Sequence, residues 1–205
     1  MQIGVMIPVR KDTNMLAELQ KVKDLDLQSC QISIWNPDFY TDELAAEINA
    51  AVEATGIVVS TLWAGYSGPI EWNFTQGPLV LGLVPPAYRG IREKELLRAS
   101  EFATKINCVN IATHAGFIPE NYHDPEFWGT VGVLRGICRT LKARGQNFLF
   151  ETGEMIPNTL LQLIKDVNEP NIGINFDCAN MIISGRGNSV DALRMLVPYV
   201  RGLHA

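Results

Sequence analysis

Three polar side chains each close a short apolar run: Glu151 in NFLFE, Asp177 in NIGINFD and His204 in VRGLH. They stand 26 and 27 residues apart, the span of one strand, one helix and two short connections. Each run reads as a buried strand whose last residue turns polar as the chain leaves the core. In an α/β barrel, side chains at such strand ends converge on one mouth. Two carboxylates and an imidazole meeting there make a mixed oxygen and nitrogen donor set for one divalent metal ion. The blander readings are a solvated carboxylate for Glu151, an Asx-turn residue for Asp177 and a frayed terminal residue for His204.

Two further groups carry chemistry. His114 closes the run IATHAG and is expected at the same face, as a substrate contact, a partner to the ligands or a structural histidine. Glu154 lies three residues beyond Glu151 and offers a second acid/base group, or an acid at a helix start. The lysines and arginines are scattered along helical stretches and read as solvated faces.

The elements that must position these groups alternate throughout. Residues 2–8 form a first apolar run, and Met15, Leu16, Leu19, Val22 and Leu25 give helical spacing over 14–27. A strand over 30–36 precedes a helix over 42–54, capped by Thr41 and stopped by Gly56. The β-branched run 57–65 is the third strand. Residues 66–86, rich in Gly and Pro and carrying Trp72 and Phe74, are too many for an ordinary connection and read as a lid or binding loop. Helices over 87–106, 125–144, 158–167 and 189–199 then alternate with strands over 108–116, 146–153, 171–179 and from Val200.

Such alternation implies a parallel sheet with right-handed crossovers. The GxGxxG turn of an open dinucleotide-binding sheet is absent after the first strand, where Gly4 stands alone. Polar strand ends favour the closed alternative. The fold class is therefore α/β, a (β/α)8-type barrel in a single domain over 1–205, truncated after its seventh strand. The first and seventh strands would then be open edges, so a homo-oligomer is expected.

Apolar residues make up 47% and charged residues 19% of the chain, the balance of a folded globular protein. A formal net charge of −5 disfavours a nucleic-acid partner, whose phosphates call for Lys and Arg. No apolar run reaches the length of a membrane span, and the N-terminus reads as a strand rather than a leader. Cys30, Cys108, Cys138 and Cys178 have no paired spacing and read as reduced thiols of a cytoplasmic protein.

At FETGE, NFDCANMIISG and VRGLHA the sequence resembles the sugar phosphate isomerase/epimerase family, the xylose isomerase-like TIM barrels that also include the AP endonucleases. The run from Asn175 to Ile182 is the most specific part. The resemblance implies that Glu151, Asp177 and His204 bind one divalent metal, manganese first, with magnesium, cobalt or zinc as alternatives. The family's fourth ligand, a glutamate on strand eight, has no counterpart in the chain, so an incomplete site is expected. Pro157 stands where paired-glutamate epimerases carry their second acid/base residue. Asn180 replaces a histidine common to epimerases and nucleases, which with only three histidines in the chain argues against a three-zinc nuclease.

The function implied is isomerisation or epimerisation of a sugar, sugar phosphate or keto-polyol through an enediolate. Glu151, His114 and Glu154 are its candidate catalytic residues. Trp35, Trp63, His114 and Asn180 are candidate substrate contacts, with Trp72 a further piece of apolar wall; core packing is the default for each tryptophan alone. The rival readings are a keto-polyol dehydratase, an abasic-site phosphodiesterase and a non-catalytic sugar-binding protein.

Overall fold

The computed structural model describes residues 2–204. Along them run seven strands and eight α-helices, and the strands hydrogen-bond to one another in chain order. The chain forms two compact units. One comprises the residues up to Ser67 with Glu95–Ile111, the other Gly68–Lys94 with the residues from Ala112 onward.

In the first unit β1 (Gly4–Pro8), β2 (Ser29–Ile34) and β3 (Val58–Ala64) are parallel neighbours. They are joined by α1 (Met15–Asp24) and α2 (Asp42–Thr55). Asn14 and Thr41 cap these helices by accepting the amides of Ala17 and Leu44, which satisfies donors that a helix start leaves open. Gly56 ends α2 at φ +76°, a left-handed conformation that costs a residue without Cβ little. Met15, Leu19 and Val22 recur at helical spacing and are buried, as are Ile32, Ile34 and Leu62 on the strands.

The second unit opens with the long connection after β3, which holds a short helix, α3 (Gly77–Val80), and leads into α4 (Pro86–Lys105), whose residues from Glu95 onward, with Asn110 and Ile111 of the next strand, belong to the first unit. Arg92 on α4 is fully buried, so the reading of every basic helix residue as solvated is corrected there. A guanidinium leaves water only when its N–H groups find acceptors, and Arg92 meets three backbone carbonyls. Next come β4 (Asn110–Thr113), α5 (Pro125–Ala143), β5 (Asn147–Glu151) and α6 (Pro157–Val167). The unit closes with β6 (Ile172–Asp177), α7 (Cys178–Ile183), α8 (Ser189–Leu196) and β7 (Val200–His204).

Strands β5, β6 and β7 are parallel, and β6 is buried along its whole length, as strands covered on both faces are. Side chains alternate between those faces. Phe148 and Phe150 share one, their rings 5.1 Å apart. Leu149 and Glu151 share the other. Register pairs Leu149 with Gly173 and Glu151 with Asn175. A Cβ at Gly173 would lie 2.9 Å from the Leu149 side chain and 3.0 Å from that of Arg201, so a larger residue there would require those two side chains to shift. Asn175 and Asp177 follow Gly173 on the same face.

Most strands are shorter than their sequence suggests, and for two of them the local cause is visible. The run 171–179 stops at Asp177, whose Oδ1 accepts the Asn180 amide at 2.8 Å and starts α7. The run 108–116 stops at Thr113. Beyond it Ala115 O instead accepts the amide of Leu83 at 2.8 Å, and Gly116 turns the chain at φ +98°.

Candidate active site

Glu151, Asp177 and His204 are the final residues of β5, β6 and β7. Parallel neighbours whose strands end level place their last side chains together. Asp177 and His204 are direct register partners, and Glu151 opposes Asn175, one alternation before Asp177. One donor atom from each of the three lies within 4.8 Å of the other two. His204 Nδ1 is 2.6 Å from Glu151 Oε1 and 3.1 Å from Asp177 Oδ2.

The surroundings fix the Glu151 carboxylate and the Asp177 backbone. Asn175 Nδ2 donates to Glu151 Oε2 at 2.6 Å. Thr152 Oγ1 donates to Asp177 O at 2.9 Å and accepts the Asp177 amide at 2.7 Å, latching the ends of β5 and β6 together. Glu151 is fully buried, whereas the His204 side chain keeps 30% of its exposure, which leaves the cluster an open side.

The electrostatics follow from this crowding. Hydrogen bonds donated to Asp177 and then to Glu151 push His204 up to about 10, against the opposing effect of burial. Burial raises Asp177, but its bond to His204 and the amides at the start of α7 outweigh that and hold it below the usual carboxylate range. The imidazole Nδ1 thus presents a cation to two carboxylates. A divalent ion asks the same three donors to face one point, about 3 Å apart for bond lengths of about 2.0–2.2 Å. The residues fit such an ion.

A second cluster adjoins the first. His114 follows β4 by one residue, and its Nδ1 lies 2.9 Å from Glu154 Oε2. Glu154 Oε1 accepts the amide of Gly116 at 3.2 Å. Both side chains are buried. Burial alone would lower His114, but Glu154 foremost, then Glu151 and Asp177, raise it above its ordinary value. The Trp72 ring stands edge-on to His114 with centroids 4.6 Å apart. A Cβ at Gly153 would lie 3.2 Å from Asn180 Cβ and 3.6 Å from His114 Cε1, so the chain between Glu151 and Glu154 passes directly between those two side chains.

Of the residues singled out in the sequence, Glu151, Asp177, His204, His114, Glu154 and Asn180 all fall in the second unit, as does Trp72. Trp35 and Trp63 belong to the first unit, where their rings pack on each other at 4.6 Å. Asn175 and Thr152 went unassigned in the sequence. The period of two in NFD puts Asn175 on the Asp177 face, a signal that was available, but its partner Glu151 depends on the register between two strands. Pro157 is the first residue of α6, a position that needs no amide donor.

A family model described as a xylose isomerase-like TIM barrel matches residues 19–205. A solved xylose isomerase domain protein from Planctomyces limnophilus is similar at 34% identity and a TM-score of 0.89, over 99% of this chain and 72% of that one. D-psicose 3-epimerase, solved in the presence of D-fructose, is 18% identical with a TM-score of 0.73, over 98% and 72% of the two chains. A xylose isomerase-like TIM barrel protein from Mycobacterium smegmatis, in complex with magnesium, is 15% identical with a TM-score of 0.72, over 100% and 74%. The last two likenesses bear on the fold alone. No curated protein matches the chain.

Proposed function

The chain belongs to the xylose isomerase-like TIM barrel family, and from that premise we propose that it is a metal-dependent isomerase or epimerase of a ketose sugar, sugar phosphate or keto-polyol. The observation that carries the reading is the meeting of Glu151, Asp177 and His204 donors within 4.8 Å. A divalent cation held there, manganese in the first instance, would supply Lewis acidity toward a carbonyl oxygen and the hydroxyl beside it.

The chain's own residues do the rest. Asn175 orients the Glu151 carboxylate, and the Asn180 amide holds that of Asp177, so the carboxylates are held before anything binds. Glu154 and His114 share a hydrogen bond at 2.9 Å and form the proton-carrying pair. The pair removes the proton from the carbon α to the carbonyl, the C–H electron pair becomes the C=C bond of the enediolate, and the carbonyl π pair moves onto its oxygen. Transfer of the neighbouring hydroxyl proton to that oxygen and return of the carbon-bound proton to the former carbonyl carbon give the isomer. Return to the same carbon from the opposite face gives the epimer. Asn180, beside His114 across Gly153, is the proposed contact for a substrate hydroxyl, and Trp72 shields the pair from water on one side.

The test is product analysis on a panel of ketoses, their phosphates and cyclic keto-polyols with added manganese. Epimers or aldose–ketose isomers formed with exchange of the α-hydrogen for solvent deuterium support the proposal. A dehydrated product would move the activity to the lyases, and no exchange on any substrate would contradict it.

A further inference from the structure

Trp72 reaches His114 from a segment with little regular structure, between the end of β3 and the start of α4. One buried side chain organises that segment. Arg92, on α4, donates through one terminal nitrogen to Val80 O at 2.6 Å and Gly82 O at 2.8 Å. Through the other it donates to Pro69 O at 2.9 Å. Its guanidinium carbon stands 4.7 Å over the Tyr88 ring, and the residue is fully buried. The three carbonyls come from the two ends of 69–82, so one cation closes the segment into a loop. A buried guanidinium is costly unless such acceptors stay in place, and the fixed fork of its donors dictates where they stand. Arg186 stacks on Phe74 at 4.5 Å, so the middle of the loop is held as well.

Two contacts carry that order to the proton-carrying pair. The first runs through the backbone. A Cβ at Gly82 would lie 2.2 Å from Ala115 C and O, and Leu83 N donates to Ala115 O at 2.8 Å. The adjoining Gly116 amide donates to Glu154 at 3.2 Å. The second is Trp72 itself, within the closed loop and 4.6 Å from the His114 ring. The loop ends that Arg92 gathers are therefore connected to both members of the pair.

We propose that Arg92 is a positioning residue for the His114–Glu154 pair, fixing the 69–82 loop so that Trp72 stays against His114 and the 115–116 backbone stays against Glu154. The proposal rests on the reading of that pair as the proton carrier, but its geometric part is testable without turnover. The chain has three histidines, His114, His123 and His204, so the His114 ring resonances are separable by NMR. Trp72→Leu, which removes the aromatic ring, defines the ring-current contribution of the indole to them.

Two variants are compared in the full chain. Arg92→Lys keeps a cation but loses the fork. Gly82→Ala forces the loop off Ala115 and moves the Gly82 carbonyl away from an otherwise unchanged Arg92 side chain. Each is expected to move the His114 signals toward their positions in Trp72→Leu and to lower kcat about 10- to 100-fold, with less effect on KM. Should Arg92→Lys fail to fold, Gly82→Ala decides alone. Folded variants with unmoved His114 signals, even at a lower melting temperature, would show Arg92 to be structural only and overturn the proposal. Moved signals in a protein that turns over no substrate would uphold the positioning and count against the proposed reaction instead.

Discussion

Asn175 Nδ2 lies 2.6 Å from Glu151 Oε2, so one oxygen of that carboxylate is held by its neighbouring strand while the other faces His204 Nδ1 at 2.6 Å. The side chain that donates is buried and so is the acceptor. A ligand fixed in this way loses little freedom on binding an ion, and removing such an outer partner commonly weakens metal binding about 10- to 100-fold. Asn175→Ala is therefore expected to lower manganese affinity by that factor in isothermal titration calorimetry. Unchanged affinity would remove Asn175 from the account.

The acidity of His204 makes a separate prediction for the metal-free protein. Asp177 and Glu151 raise it from 6.5 to about 10, so the folded state holds its proton more tightly than the unfolded state. The stabilisation is complete below about pH 6.5 and is lost as pH rises through about 10. Melting temperature should fall across that window, and His204→Gln should flatten the fall. His114 is raised as well and contributes in the same direction, so the difference between the two proteins isolates His204. The buried thiols of Cys30, Cys108 and Cys138, pushed from 9.0 to about 12, 11 and 12, add to the fall above about pH 9 in both proteins alike and cancel in the comparison. Equal slopes in the two proteins would contradict the ion-pair geometry.

Glu154→Gln separates proton transfer from metal binding. The substitution preserves shape and removes the carboxylate that faces His114, while the Glu151, Asp177 and His204 set is untouched. Turnover should fall about 100- to 10,000-fold with manganese affinity close to that of the parent. Retention of full kcat would place the acid/base group elsewhere.

The platform beneath the site rests on aromatic packing. Phe150 is fully buried, and its ring meets that of Phe148 at 5.1 Å. Phe150→Ala should cost about 3–5 kcal/mol of unfolding free energy, read by urea denaturation. A loss under about 1 kcal/mol would mean that the space refills readily.

Much of the strand plan was legible because the signal is local. An apolar run ending in a polar side chain marks a strand leaving the core, and Glu151, Asp177 and His204 each follow that rule. Thr41 and Gly56 bounded α2 for the same reason, since caps act within one turn. What stayed hidden depends on distant chain. Arg92 sits in the charged stretch IREKELLR, and only the carbonyls of Pro69, Val80 and Gly82 reveal why it is buried. The fourth strand stops at Thr113 because the backbone beyond it meets Leu83, a pairing with no local sign. Asp177 was legible as a strand end but not as the cap that starts α7, because one side chain serves both purposes.

The central claim is that Glu151, Asp177 and His204 share one divalent ion, and anomalous diffraction from crystals saturated with manganese tests it most directly. The account predicts one peak with an oxygen of Glu151, an oxygen of Asp177 and a nitrogen of His204 each about 2.0–2.2 Å away, and its loss in Asp177→Asn. A manganese peak elsewhere, or none at these three residues while the parent protein still catalyses its reaction, would contradict it.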